Sequence, residues 1–341
     1  MRKICLIPRL KGVGGMVSFQ EKFRRGLQTK GIDVCFDPNE QGIDAVLVIG
    51  GTHHLGSLYR IKNQNIPIVQ RLDGMNWIHR VRRTGIRHFI RAEYGNLILS
   101  FIRSRLADRI IYQSEFSREW WEREHKLTRV ANTVIYNGVN LESYSPRGEH
   151  NRPKDHYRVL IVEGSLMGGY DIGLNTAIGL VEGLNKKTSP SNPKVELMVV
   201  GKVSQELIAE VTKKTVIPIE WKGLVPSEDI PLLDRSAHIL YSGDINAACP
   251  NSAIEAIACG LPIVAFDTGA LQEIVVRDAG KIVPYGENPW QLSAPNIPLL
   301  VNAALEILES NEKFRAGARK RAEEAFSLDH MVNAYVEVLL Q

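Results

Sequence analysis

Two doubly wound α/β halves, each a parallel sheet covered by helices on both faces, are the fold class this sequence predicts. Three observations predict it. Short apolar runs alternate with helical stretches along the whole chain. One polar, proline-containing stretch interrupts the alternation near the middle, and 341 residues are enough for two sizeable cores.

In order, KICLIP reads as the first strand and a Gly-rich loop leads into a helix near Met16 to Thr29. Strands at AVLVIG, PIVQRL and RIIYQS follow, and VIYNGV closes the half. His53 and His54 begin a helix; with no third ligand nearby in sequence they read as structural. The stretch SYSPRGEHNRPKDHY is the best linker, giving domains of residues 1–150 and 151–326. The second half restarts at YRVLIVEG, has a helix from about Asp171 to Leu184, and continues through LMVVG, IEWKG, HILYSG and PIVAF. Residues 289–341 are mostly helical, with Ser327 as N-cap of the last helix, SLDHMVNAYVEVLL. Two such halves imply a cleft in which loops at the carboxyl ends of the strands meet a ligand.

Hydrophobic residues make up 44% and charged residues 23%, ordinary for a soluble globular protein. No apolar run is long enough to span a bilayer, and MRKICLIPRL lacks a long apolar segment, so a cytoplasmic location is expected. Cys5, Cys35, Cys249 and Cys259 lack metal spacing and read as reduced thiols. The net charge of +4 is uneven: residues 51–130 carry 15 Lys+Arg against 7 Asp+Glu. The densest piece, residues 76–105, interleaves arginines with Trp77, Val81, Phe89, Ile90, Leu97, Ile98 and Phe101 at roughly helical spacing. Such a basic amphipathic helix suits either an anionic membrane surface or an ordinary solvated face over a core. Nucleic acid is not an expected partner, since no recognised binding module accompanies the arginines.

The most informative block is CPNSAIEAIACGLPIVAFDTGALQE, residues 249–273. Asn251 can cap a short helix that stops at Gly260, with Pro262 just beyond. A strand, a loop and a helix presenting its N-terminus make an anion site, because unpaired amides and the helix dipole face the ligand. Glu255, on or just past the first turn, can accept bonds from sugar hydroxyls. Phosphate-binding amides beside such an acid point to a nucleotide.

The run PNSAIEAIACGLPIVAFDTGALQEIV closely resembles the donor-site block of retaining, family-four glycosyltransferases with the GT-B fold, of the kind that build surface polysaccharides. The resemblance covers nearly the whole second half and the first more thinly. It implies a nucleotide-diphosphate sugar donor (UDP-sugar favoured), a glycan or lipid-linked glycan acceptor, retention at the anomeric carbon and neither metal nor other cofactor. No DxD-type acidic pair stands in a suitable loop. It further implies that the amides near Asn251 and Ser252 hold the phosphates and Glu255 the ribose, with Asn246, Cys249 and Pro250 also among the donor-binding residues. Gly223, Leu224 and Val225 match an element whose backbone meets the base. Gly201 and Lys202 line the donor, and the closing helix, residues 327–341, packs on the first domain.

In PRLKGVGGM, Gly14 and Gly15 resemble the family's GG pair facing donor phosphates or acceptor, flanked by Arg9 and Lys11. Arg71 and Asp73 in VQRLDGMNW sit where relatives place a histidine or acid near the reacting carbon; an Asp-Gly turn is the plain alternative. The catalytic candidates are therefore Asp73, Arg71 and Gly15. Ser117 in QSEFSREWW reads as an N-cap, and Asn137-Gly138 as a hairpin turn, hinge or cleft wall.

The sequence departs from the family twice. In VEGSLMGGYDIGL, relatives carry an arginine right after Gly164 and a lysine before the helix, where this chain has Ser165 and Met167 or Gly168. Ala247 stands where relatives often have a sugar-reading acid; Asp244 and Asn246 are near enough to substitute. Each charge-assisted bond to phosphate contributes roughly 1.5–3 kcal/mol. Arg9, Lys11 or Lys202 must therefore compensate, or the protein is a relative that binds nucleotide sugar or glycan without turnover.

Overall fold

The computed structural model describes residues 2–12, 14–166, 171–187 and 194–341, apart from the side chain of Asp171. These residues form two compact units, residues 1–138 with 327–341, and residues 139–326.

The first unit contains β1 (Lys3–Ile7), α1 (Gly15–Thr29), β2 (Asp33–Cys35), β3 (Ala45–Ile49), α2 (Leu55–Asn63) and β4 (Ile68–Leu72). Then come α3 (Ile78–Val81), α4 (Ile86–Phe101) running into a π-helical turn at Ile102–Leu106, β5 (Arg109–Tyr112), α5 (Glu115–His125) and β6 (Ala131–Val134). All six strands pair in parallel in the order β2-β1-β3-β4-β5-β6. Period-two alternation divides each strand between two cores. Ile4 and Leu6 of β1, with Ala45, Leu47 and Ile49 of β3, join Phe19, Phe23 and Leu27 of α1. Cys5 and Ile7, with Val46 and Val48, join Leu58, Ile61, Ile98 and Ile102 on the opposite face.

The second unit contains β7 (Tyr157–Ser165), α6 (Asp171–Lys187), β8 (Val195–Lys202), α7 (Gln205–Lys214), β9 (Ile219–Gly223) and α8 (Ile230–Arg235). It continues with β10 (Ile239–Ser242), α9 (Asn251–Ala258), β11 (Ile263–Phe266), α10 (Leu271–Ile274), β12 (Gly280–Val283), α11 (Ile297–Glu309) and α12 (Asn311–Ala325). Its parallel sheet has the order β12-β11-β10-β7-β8-β9. That is the doubly wound dinucleotide-fold order, whose direction reverses between β7 and β10. The last helix, α13 (Leu328–Leu340), belongs to the first unit: Met331, Val332, Tyr335 and Leu339 enter the core around Phe19 and Phe23.

Several expectations from sequence are displaced. The unit boundary falls at Gly138–Val139, not near residue 150. The polar stretch expected to be a linker is instead tied into the second unit. Arg319 donates to the carbonyls of Leu141 and Tyr144, and Arg235 to those of Ser145 and Glu149. VIYNGV is not the closing strand; β6 ends at its first residue, Val134, and β2 and β12 were too short or too polar to read. Residues 76–105 are not one helix, because Thr84-Gly85 breaks them, with Gly85 at φ 89°.

Candidate donor-binding site

In an open α/β sheet the ligand crevice lies outside the carboxyl ends of the strands where the order reverses. In the second unit those ends are Ser165 of β7 and Ser242 of β10. The loop after β10 leads directly into α9, so the switch point and the start of that helix are built by one continuous segment.

Helix α9 is fixed at its far end. Gly260 at φ 68° lets its own amide bond to the Ile257 carbonyl and the Leu261 amide to the Ala256 carbonyl, a Schellman closure. Arg319 donates to the Ala258 carbonyl at 2.8 Å, placing a cation at the negative end of the dipole. At the near end the expectation for Asn251 fails. Pro250 occupies the cap position with no side-chain cap, and Asn251 is already the first helical residue. A proline there has no amide to satisfy and leaves those of Asn251, Ser252 and Ala253 leading the helix. Asn251, Ser252 and Pro250 are half-buried, whereas Cys249 is buried and packs the loop. Glu255 lies just past the first turn and is half-buried.

The preceding loop is pinned from behind. The Ala270 amide donates to the Ala247 carbonyl at 2.9 Å, and a Cβ on Gly269 would stand 2.4 Å from that oxygen. Ala247 is therefore a buried packing residue. Asn246 adopts φ 59°, is buried, and its Nδ2 finds no acceptor among the described residues; the buried Ser242 Oγ is likewise unpaired. Unpaired buried donors at a switch point are costly unless a ligand completes them.

Two acids unmarked by any motif meet here. Burial pushes the Glu163 carboxyl well above its ordinary value, with the Asp244 charge adding to it, and burial pushes Asp244 up to about 6. The sequence signal was Glu163 itself, a charge at the end of an apolar strand. Beneath α9, buried Asp234 is held well above the carboxylate range, first by burial and then by Glu255.

On the neighbouring strand ends, Ser165 pairs in register with Lys202, and Leu166 donates to the Lys202 carbonyl at 3.0 Å. Lys202 is exposed, Ser165 half-buried, and Gly164 opens onto free space. Gly201, at φ 143°, could not carry a Cβ, which would fall 2.2 Å from the Glu163 carbonyl oxygen. Gly223 and Leu224 are exposed and Val225 half-buried just after β9. Met167 and Gly168 lie outside the described residues.

In the first unit the order reverses between β1 and β3, and the loop after β1 leads to α1. Gln20 brackets this loop, accepting from the Leu10 amide at 2.9 Å and donating to the Pro8 carbonyl at 2.8 Å. Gly14 is the N-cap of α1 and Gly15 its first residue, both exposed. Arg9 is exposed with its guanidinium 5.1 Å from the Phe36 ring centroid; Lys11 is exposed.

Arg71, a catalytic candidate, is buried. It is 1% exposed, its guanidinium 3.8 Å from the Phe19 ring centroid and donating to Asn137 Oδ1 at 2.8 Å. Its Nε and Nη1 find no partner among the described residues. Asp73 is half-buried, its carbonyl accepting from Ser117 Oγ at 2.9 Å and Trp121 Nε1 at 2.7 Å. Burial raises its carboxyl and Arg71 pulls it back. Gly74 serves close packing, since a Cβ would meet the Trp120 ring at 2.5 Å. Ser114, not Ser117, caps α5, accepting from the Ser117 amide. Gly138 makes room for α13, whose Leu328 Cα would lie 2.8 Å from an added Cβ.

Residues 155–324, the greater part of the second unit, match the family described as glycosyl transferases group 1. This is a group 1 glycosyltransferase domain. A D-inositol 3-phosphate glycosyltransferase of Jonesia denitrificans is 29% identical over 213 residues, covering 58% of this chain. The chain spans about half the length of that curated relative, 48% of it. Across the fold, the sucrose-phosphate synthase of Thermosynechococcus elongatus superposes with a TM-score of 0.75 at 16% identity, covering 99% of this chain and 98% of that one. The Anabaena protein HepE, solved in complex with UDP-glucose, gives 0.69 at 16% identity, covering 99% and 100%. The glycosyltransferase fold is thus GT-B, built of two parallel α/β units.

Proposed function

We propose that the protein is a retaining, metal-independent glycosyltransferase that moves a sugar from a nucleotide-diphosphate donor, UDP-sugar foremost, to a glycan or lipid-linked glycan acceptor in polysaccharide synthesis. One observation carries the donor reading. The leading amides of α9, the unpaired Asn246 Nδ2 and Glu255 stand together on one short segment at the switch point of a group 1 domain. The amides bind the diphosphate, Glu255 accepts from the ribose hydroxyls, and Gly223 to Val225 meet the base. HepE was solved with UDP-glucose, which favours the same class of donor here.

The chemistry follows from that placement. The bond from the anomeric carbon to the diphosphate oxygen breaks, and a bond to the acceptor hydroxyl oxygen forms on the same face. The hydroxyl proton passes to the departing phosphate oxygen. The protein stabilises charge on the leaving group through oriented amides and nearby cations, and positions the two substrates. Lys202, in register beside Ser165, supplies the cation that relatives place directly after the loop glycine. Asp244 and Glu163 replace the acid absent at Ala247 and bond the transferred sugar.

The test is incubation with a panel of nucleotide sugars, reading released nucleotide, alongside thermal shifts with the free nucleoside diphosphates. Release and a shift with one base, both lost in Glu255→Gln, are expected. No shift with any nucleoside diphosphate would defeat the donor reading. A second reading, binding without turnover, is favoured by Ser165 standing where relatives have arginine. A thermal shift with no nucleotide release from any donor, acceptor extracts included, is its signature.

A further inference from the structure

Helix α4 is apolar on both sides. Inward, Ala92, Asn96 and Ile98 are buried, and Asn96 holds the helix in place by accepting from the Asn76 amide at 3.0 Å and donating to its carbonyl at 2.9 Å. Outward, Ile86, Ile90, Tyr94 and Leu97 form a row at spacings of four, four and three, with exposures of 80%, 63%, 53% and 65%. A surface helix ordinarily turns polar residues outward, and scattered exposed apolars need no account, but a contiguous row does.

Charge borders this row. Arg87 and Arg91 run beside it one helical turn apart, and Arg83 sits in the turn before the helix, all three exposed. None of the three makes an ion pair among the described residues. Glu93, the one acid in residues 76–105, is taken already: Arg80 grips it with bonds of 2.6 and 2.9 Å, and His79 adds another at 2.8 Å. The arginine first and the histidine after it hold Glu93 down at about 2. No helix among the described residues is long and apolar enough to cross a membrane.

We propose that the outward face of α4 docks on an anionic lipid bilayer, the helix lying in the plane of the interface. Ile86, Ile90, Tyr94 and Leu97 enter the boundary between headgroups and acyl chains, and Arg83, Arg87 and Arg91 meet lipid phosphates. Neither half of the device suffices alone. Arginines without the row would serve any polyanion, and the row without arginines would serve a second copy of the chain. The two side by side on one rigid helix match a surface that is negative outside and apolar within. All the observations lie in the first unit, so the inference stands or falls apart from the donor site.

The test is co-sedimentation with vesicles of phosphatidylcholine containing a quarter phosphatidylglycerol, against phosphatidylcholine alone, in about 0.1 M salt. Binding to the anionic vesicles and at least tenfold weaker binding to neutral ones is expected. Each arginine near such a surface contributes about fivefold, so the combined change R83Q, R87Q and R91Q lowers affinity on the order of a hundredfold. Ile86→Ser with Ile90→Ser and Leu97→Ser lowers it at least tenfold. As these side chains are exposed, both variants keep the parent melting temperature and its nucleotide release from a soluble assay. In addition, the fluorescence of Y94W shifts to the blue on binding and is quenched by brominated acyl chains.

Equal binding to neutral vesicles, or none to either, overturns the proposal. So does full binding by the serine variant, which would leave only a polyanion surface. A dimer in sedimentation velocity that the serine variant dissolves would assign the row to a second copy of the chain instead.

Discussion

Glycines around the two switch points are required for different reasons. After β1, Gly12 takes φ 99° and a Cβ there would meet nothing within 4 Å, so that loop needs glycine for its backbone angles alone. In the second unit, Gly201 and Gly269 have positive φ as well, but their missing Cβ atoms would land 2.2 and 2.4 Å from backbone oxygens. The loop after β1 is open there, as is Gly164 at the end of β7; backbone presses on backbone instead at the end of β8 and in the turn after β11, which flank the second switch point. Charge follows the same division. The cation at the end of β4, Arg71, is buried against Phe19, while the acids at the ends of β7 and β10 are crowded together with raised values. Preorganised polar groups belong where a ligand replaces water, which is the second unit's arrangement.

The sharpest way to break the comparison is Gly201→Ala. The added methyl must push apart β7 and β8 at Glu163, a strain with no flexible side chain to absorb it, and a loss of about 3 kcal/mol or more is expected. Denaturant unfolding followed by intrinsic fluorescence reads it. A loss under about 1 kcal/mol would mean the strand end gives way, and the distinction would go.

Next is Asp244→Asn. Its folded value of about 6 lies above the ordinary 3.8, so the native state binds the proton more tightly than the unfolded chain does. The contribution is present below about pH 4 and is lost as pH rises through about 6. Asparagine, which does not ionise, should therefore stabilise the protein by on the order of 2 kcal/mol at pH 7.5 and little at pH 4. Melting temperatures at the two pH values check the sign; equal shifts at both would remove the crowded pair. Donor affinity should fall in the same variant, since the carboxylate is proposed to hold the sugar.

How far the sequence led follows from which physics was local. Strand and helix periodicity, the Gly260 stop of α9 and the alternation that builds two parallel sheets depend on neighbours in the chain, and they were legible. The cap at Asn251 was misplaced by one residue because proline at position 250 takes the cap without offering a side-chain bond. Arg71 read as a site residue because a charge at a strand end ordinarily faces solvent. Its burial against Phe19 and Asn137, both distant in sequence, was not legible. The pairing of Glu163 with Asp244 was hidden for the same reason, as Glu163 is on β7 and Asp244 just past the end of β10, strands that are neighbours only through the sheet's reversal. The polar stretch after Gly138 looked like a linker because composition cannot tell free polar groups from those gripped by Arg235 and Arg319.

Lys202 sharpens the comparison between loops at smaller magnitude. If the second unit carries the diphosphate charge, Lys202→Ala should weaken nucleoside-diphosphate binding about tenfold, the worth of one charge-assisted bond. Arg9→Ala with Lys11→Ala, in the open loop, should then change it less. Titration calorimetry on both variants decides; the reverse order would move the missing cation to the first unit.

The smallest effect is expected at Gly12, and it is the fairest trial of the contrast. Alanine there meets no atom, so its cost is only that of holding an L-residue at φ 99°, about 1–2 kcal/mol. The same substitution at Gly201 bears that cost and a collision besides. The ratio of the two losses measures how much of the β7–β8 strand end is set by packing. Were Gly12→Ala as damaging as Gly201→Ala, the first loop would have to be pressed against something too, and its openness would be lost as an explanation for its glycines.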